Sequence, residues 1–309
     1  MPVSPRLTKN LKLPAIVSPM FLASGPDLVV ETCRSGLIGT FPSLNQRTTA
    51  GYEAWIEDIQ ARLAGTDAAA FGVNLIVHKS NPRVMDDLAA TVKHKVPLVI
   101  TSLGAVREVV DAVHSYGGLI FHDVISRRHA EKAAEAGVDG IIAVCAGAGG
   151  HAGTLSPFAL VPEIRSIFEG TIVLSGALST GAHVAAAQML GADLAYMGTR
   201  FLATAEAMAD PAHKQMIVDT HAKDIIYTPA ISGVNANFLT PSLLRNGLDP
   251  DNLPAHAKLD MASEAKVWRD VWSAGQGVGS VQDILPAAQL CQRLIREYRE
   301  ACRPLALSA

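Results

Sequence analysis

The chain has 309 residues, 49% of them hydrophobic and 18% charged, enough apolar material for one large α/β domain or two smaller ones. A formal net charge of −3 offers no basic footprint for nucleic acid, the Met1-Pro-Val-Ser-Pro-Arg6 start does not read as a secretory leader, and no apolar run reaches transmembrane length. The cysteines (Cys33, Cys145, Cys291, Cys302) lie far apart without a CxxC pair, which points to free thiols in a reducing cytoplasm and to no zinc site or disulfide framework.

From residue 15, short apolar runs alternate with longer amphipathic ones. Strands are predicted at Ala15–Met20, Leu37–Pro42, Ala70–Leu75, Pro97–Ser102, Leu119–Val124, Gly140–Val144, Thr171–Ser175 and Leu194–Met197. They are rich in Val, Ile and Leu and mostly do not alternate, the signature of parallel strands covered on both faces. Helical patterns fill the gaps at Asp27–Ser35, Tyr52–Ala64, Arg83–His94, Val106–Tyr116, Arg127–Ala136, Pro157–Phe168 and Thr180–Leu190. Ser126 is placed to cap one of them, and Gly36, Gly117, Gly137 and Gly191 to end others. Eight such units predict an α/β fold of the TIM-like (β/α)8 class, with an open doubly wound sheet as the structural alternative.

The rhythm breaks after residue 202. A helical stretch near Met208–Ala222 precedes a loop-rich passage with Pro229, Pro241, Pro250 and Pro254. We read 1–202 with 280–309 as the barrel, closed by a helix over Val281–Ala301, and 203–279 as a smaller excursion covering the active-site mouth.

In (β/α)8 enzymes the chemistry sits at the C-terminal ends of the strands. Those ends carry Pro19-Met20-Phe21, Asn74, His122-Asp123, Cys145 through Gly153, Ser175-Gly176-Ala177 and Met197-Gly198-Thr199. Loops after strands seven and eight commonly hold a phosphate on backbone N–H groups and a helix N-terminus, and Ser175–Gly181 with Met197–Thr199 has the required small residues. Asn74 ends an apolar strand and needs a partner, either a loop backbone group or a ligand. His122 and Asp123 are either a satisfied strand end or the floor of the site, Asp123 being the better placed. Cys145 reads as a small buried hydrophobe before it reads as a nucleophile. His151, set among Gly147, Gly149, Gly150 and Gly153, is the one ring in a conformationally demanding loop that titrates near neutrality.

Taken in order, Pro19-Met20, Phe71-Gly-Val-Asn74, Ala148-Gly-Gly-His-Ala-Gly153, Ser175-Gly176 and Met197-Gly-Thr-Arg-Phe-Leu-Ala203 resemble the nitronate monooxygenases, formerly 2-nitropropane dioxygenases. The resemblance extends to Trp268 and to Trp272-Ser-Ala-Gly-Gln-Gly-Val-Gly279. It implies a barrel holding non-covalent FMN, with the excursion as a lid over the flavin. It further implies oxidation of a small-molecule nitronate or nitroalkane by dioxygen to a carbonyl compound and nitrite. Carried over, His151 is the expected catalytic residue. The expected cofactor contacts are Pro19, Met20 and Phe21, Asn74 and Asp123, Ala146, Gly149 and Gly150, Ser175, Gly176 and Ala177, and Met197, Gly198 and Thr199. A neutral His151 would take the α-proton of a neutral nitroalkane, and a protonated one would attract an anionic nitronate.

Val144 and Gly147 stand where many members carry Gln and Glu, and Gly176-Ala-Leu-Ser-Thr-Gly181 replaces the usual GGIADG. These departures leave the substrate open. Two other readings stand beside nitronate oxidation: an NAD(P)H-dependent flavin reductase of the enoyl-acyl-carrier-protein or quinone type, and a non-catalytic flavin-binding barrel. The expected partners are small molecules, with neither nucleic acid nor membrane, and a homo-oligomer is compatible with the sequence.

Overall fold

The computed structural model describes residues 3–78, 80–104, 106–253 and 268–303. Six strands come first: β1 (Ala15–Val17), β2 (Ile38–Pro42), β3 (Phe71–Ile76), β4 (Leu98–Ser102), β5 (Leu119–Val124) and β6 (Gly140–Val144). A two-residue strand β7 (Gly150–His151) precedes β8 (Thr171–Ser175) and β9 (Leu194–Met197). Leaving β7 aside, these strands pair in parallel in the order β1-β2-β3-β4-β5-β6-β8-β9. β9 returns to β1 with Ile16 opposite Tyr196, and the barrel closes. All eight expected strands are present, and closure decides against the open sheet.

Both faces of each strand are covered. Ile16, Ile38, Ile100, Phe121, Ile142 and Val173 fill the barrel interior, while their neighbours Val17, Val99, Ile120, Ile141 and Ile172 pack outward with the helices. Apolar residues of either parity are therefore buried, which is why the strands read as unbroken Val/Ile/Leu runs. Each such side chain contributes about 1.5–3 kcal/mol on burial. The short helix Pro5–Thr8 sets fully buried Leu7 into the interior cluster beside Leu98, plugging the N-terminal end of the barrel. The barrel interior is thus filled from its N-terminal end, and the large cavity opens at the C-terminal end.

Side-chain caps start several outer helices. Ser126 accepts from the His129 N–H at 3.3 Å, and Thr48, Ser156 and Thr180 do the same for Thr49–Leu63, Pro157–Arg165 and Gly181–Met189. Each cap is worth about 1 kcal/mol. The closing helix spans Ala287–Ala301, shorter than expected, because Pro286 holds the N-cap and Leu285 is extended in a bridge to Thr204. It packs on Pro26–Ser35 and Gly181–Met189, joining the two ends of the chain.

The excursion is more regular than the sequence suggested. Its helix is Pro211–Asp219, with Asp210 accepting from the Ala212 N–H at 2.7 Å. The passage expected to be loop holds β10 (Ile225–Thr228) and β11 (Ala236–Leu239), which pair antiparallel. β11 then pairs with β7, setting Ala236 opposite His151 and Asn237 opposite Gly150. Pro254 lies outside the described residues. Among the described residues no helix is long and apolar enough to cross a membrane.

Candidate active site

A cavity of about 1180 Å³ opens at the C-terminal ends of the barrel strands, between the barrel and the excursion. That exceeds the range of about 300–1,000 Å³ common for ligand pockets. Asp123 is the only carboxylate among its described lining residues.

One side of the floor is backbone. After β8 the chain turns through Gly176 at φ +139° and Ala177 at φ +54°. A Cβ on Gly176 would sit 2.8 Å from the Ala146 carbonyl oxygen, so only glycine fits. Holding the non-glycine Ala177 in left-handed geometry costs about 1–2 kcal/mol, and such strain clusters at ligand sites. Successive turns of this kind form a concave nest suited to an anion. The adjoining helix is less open than the sequence suggested: Gly181 N–H donates to Glu297 at 2.7 Å and His183 N–H to Thr180 Oγ1 at 3.2 Å. The loop, rather than the helix terminus, faces the cavity at Ser175–Ser179.

Across the floor runs a polar chain. Asn74 Nδ2 donates to Ser102 Oγ at 2.8 Å and to the Ile100 carbonyl at 3.3 Å. The Ser102 hydroxyl in turn donates to Asp123 Oδ2 at 2.5 Å. The second oxygen, Asp123 Oδ1, is buried with no hydrogen-bond partner among the described residues. Burial lifts the Asp123 carboxyl to about 6, and the Ser102 hydrogen bond works against that rise. An orphaned buried acceptor costs about 1–3 kcal/mol, a cost that an N–H from a ligand would remove. Beside it, Thr101 holds His122 Nδ1 at 2.8 Å, and burial pushes that imidazole down to about 4.

His151 forms a wall. Its ring packs edge-on against Trp268 at 5.4 Å between centroids, and Trp268 stacks on Phe238 at 5.2 Å. Burial lowers its pKa to about 4, so the ring is neutral at pH 7. That favours the base over the cation among the two roles its sequence suggested. The loop carrying it is fastened from the excursion: Asn237 Nδ2 donates to the Ala148 carbonyl at 2.7 Å and Tyr227 Oη to that of Ala152 at 2.8 Å. Ser273 Oγ accepts from the Gly150 N–H at 2.8 Å and donates to the Asn237 carbonyl at 2.6 Å. Gly275 passes so close that a Cβ there would fall 2.5 Å from the Gly147 oxygen and 2.8 Å from the Gly149 nitrogen.

The cavity brings together Pro19, Met20, Phe21, Asn74, Asp123, Gly149, Gly150, His151, Ser175, Gly176, Ala177, Gly198 and Thr199. Two expected contacts lie elsewhere. Met197 is fully buried in the outer layer between strands and helices, because the two-residue strand period turns Tyr196 inward and Met197 outward. Ala146 is absent from the lining; its N–H is tied to the Leu155 carbonyl at 2.9 Å and its oxygen backs onto Gly176. Cys145 is buried with its thiol pushed up to about 12, which rules it out as a thiolate nucleophile at neutral pH. Ser102, Trp268 and Ser273 line the cavity although the sequence pattern gave them no role. Ser102, at the end of a predicted strand, was open to detection by the same strand-end rule.

A closed parallel barrel with its polar groups gathered at the strand C-termini is the arrangement of a (β/α)8 enzyme. The Nitronate monooxygenase family profile matches residues 4–297, and the chain belongs to that family of flavin-dependent oxidoreductases. The nitronate monooxygenase of Neurospora crassa is 26% identical, covering 96% of this chain and 92% of its own. The nitroalkane oxidase of Streptomyces ansochromogenes superposes with a TM-score of 0.82 at 25% identity, over 96% of this chain and 98% of that one. FabK of Thermotoga maritima shares the fold, with a TM-score of 0.79 at 24% identity over 96% and 97% of the two chains.

Proposed function

We propose that this protein is an FMN-dependent nitronate monooxygenase, oxidising alkyl nitronates with dioxygen to carbonyl compounds and nitrite. The observation that carries the proposal is His151, a neutral buried imidazole fixed by β11 on the wall of a large cavity. Residues Ser175–Ala177 with Gly198–Thr199 would hold the FMN phosphate, in a cradle where a Cβ on Gly176 has no room. Asn74 and the orphaned Asp123 Oδ1 suit the polar edge of the isoalloxazine, and Pro19–Phe21 with Gly149–Gly150 would flank the ring. When bound, FMN supplies the redox chemistry.

The chain's own residues do the rest. His151 takes the α-proton of a neutral nitroalkane onto a ring nitrogen, leaving the substrate as its nitronate. Trp268 backs the imidazole, and the β7–β11 pairing fixes its backbone. Val144 and Ala148 keep this wall apolar, which limits water at the reacting carbon. The test is an assay of flavin-saturated protein with a propyl nitronate, reading dissolved oxygen and nitrite together. Oxygen uptake matched by nitrite release is expected, and uptake without nitrite refutes the proposal. The cavity's size supports a second reading, a nicotinamide-dependent flavin reductase, since it has room for another large ligand.

A further inference from the structure

We propose that the cavity mouth carries a second anion site, in which Arg47, His129 and Lys132 hold the diphosphate of an extended organic ligand. It rests on the flavin-barrel reading above but not on nitronate as the substrate. Arg47 follows the turn Ser43–Asn45 beyond β2, and His129 and Lys132 lie one turn apart on the helix Arg127–Ala136 beyond β5. In the closed order β1-β2-β3-β4-β5-β6-β8-β9, the arc from β2 to β5 faces the phosphate cradle at β8 and β9 across the barrel. All three side chains line the cavity.

Their pairing sets them apart. Among the described residues none of the three side chains makes a hydrogen bond or ion pair, whereas nearby Arg83 is held by Asp87 at 2.9 Å and Arg127 by Glu131 at 2.9 Å. With Asp123 the only carboxylate in the described lining, the mouth is electropositive on a chain whose net charge is −3. Asp123 alone does not neutralise Arg47 and Lys132, which stand on two elements; a diphosphate carries enough charge to engage both. Two kinds of ligand present that group: a nicotinamide dinucleotide, which brings electrons, and a coenzyme A-type carrier, which brings an acyl substrate.

The test uses the full chain saturated with FMN, so that the deeper cradle is filled. Coenzyme A, NADPH and inorganic pyrophosphate are titrated calorimetrically at 50 and 300 mM NaCl. We expect at least one of the organic probes to bind, more weakly at the higher salt. Arg47→Ser combined with Lys132→Ser should weaken it at least tenfold and flatten the salt dependence. Arg128→Ser, which removes the same charge next to His129 but off the lining, should leave the affinity as it was. Anaerobic flavin bleaching by bound NADPH assigns the electron donor, and coenzyme A binding without bleaching assigns the carrier. The inference is overturned if neither organic probe binds, if the double variant binds as well as the parent, or if Arg128→Ser costs as much. A protein that takes up no FMN sinks the proposed function instead, and the same rim variants then read the mouth in the flavin-free chain.

Discussion

Burial lowers the His151 pKa to about 4 and keeps the ring neutral at pH 7. It needs no proton loss to act as a base at pH 7, and its basic form persists until the pH falls through about 4. His151→Asn should therefore keep the flavin colour but lose about 10²- to 10⁴-fold in kcat/KM with neutral nitroalkanes, as measured by steady-state nitrite release. Unchanged kcat/KM would remove its assigned role. Asp123 depends on a different balance, because burial raises its pKa and Ser102 lowers it. Ser102→Ala removes the hydroxyl that links Asn74 to Asp123. At about 1 kcal/mol for such a bond, FMN should bind roughly fivefold more weakly by fluorescence titration. Asn74 and Asp123 stood out as polar groups closing apolar runs and His151 as the ring of a glycine-rich loop, and all three line the cavity. Strand-end reading misplaced Met197 because the pleat of a strand covered on both faces leaves no parity in the sequence.

At the scale of elements, the excursion serves as the clamp of the histidine loop. β11 pairs with β7, Asn237 and Tyr227 bond the carbonyls of Ala148 and Ala152, and Gly275 lies against Gly147 and Gly149. A methyl on Gly275 would meet two backbone atoms, neither of which can swing aside. Gly275→Ala should cost about 1–3 kcal/mol of stability in urea unfolding and lower turnover more than tenfold by displacing His151. Wild-type turnover in a folded Gly275→Ala protein would show that the clamp does not set the histidine. The barrel strands were legible because burial on both faces writes itself as runs of Val, Ile and Leu. The hairpin was not: Ile225–Thr228 and Ala236–Leu239 are four residues each, and one edge depends on Gly150–His151, far away in sequence.

At the scale of the whole molecule, burial of titratable groups sets the pH response. His122, His151 and His213 are each pushed down to about 4 by burial. The unfolded chain therefore binds more protons between that value and the ordinary 6.5, and their contribution to stability is lost as pH falls across the window. Asp123, raised to about 6, opposes this from below, since its contribution is complete only under the ordinary 3.8. With these three histidines, and His183, which burial also lowers, against one carboxyl, Tm should drop from pH 7 to pH 5 in a thermal melt, and a higher Tm at pH 5 would contradict the burial argument.

The most direct measurement of the central claim is the absorbance of FMN-saturated protein mixed anaerobically, first with an alkyl nitronate and separately with NADH or NADPH. Reduction of the flavin band by the nitronate, reversed when oxygen is admitted, is the predicted result. Rapid bleaching by reduced nicotinamide with none by the nitronate would contradict the account and make the protein a nicotinamide-dependent reductase.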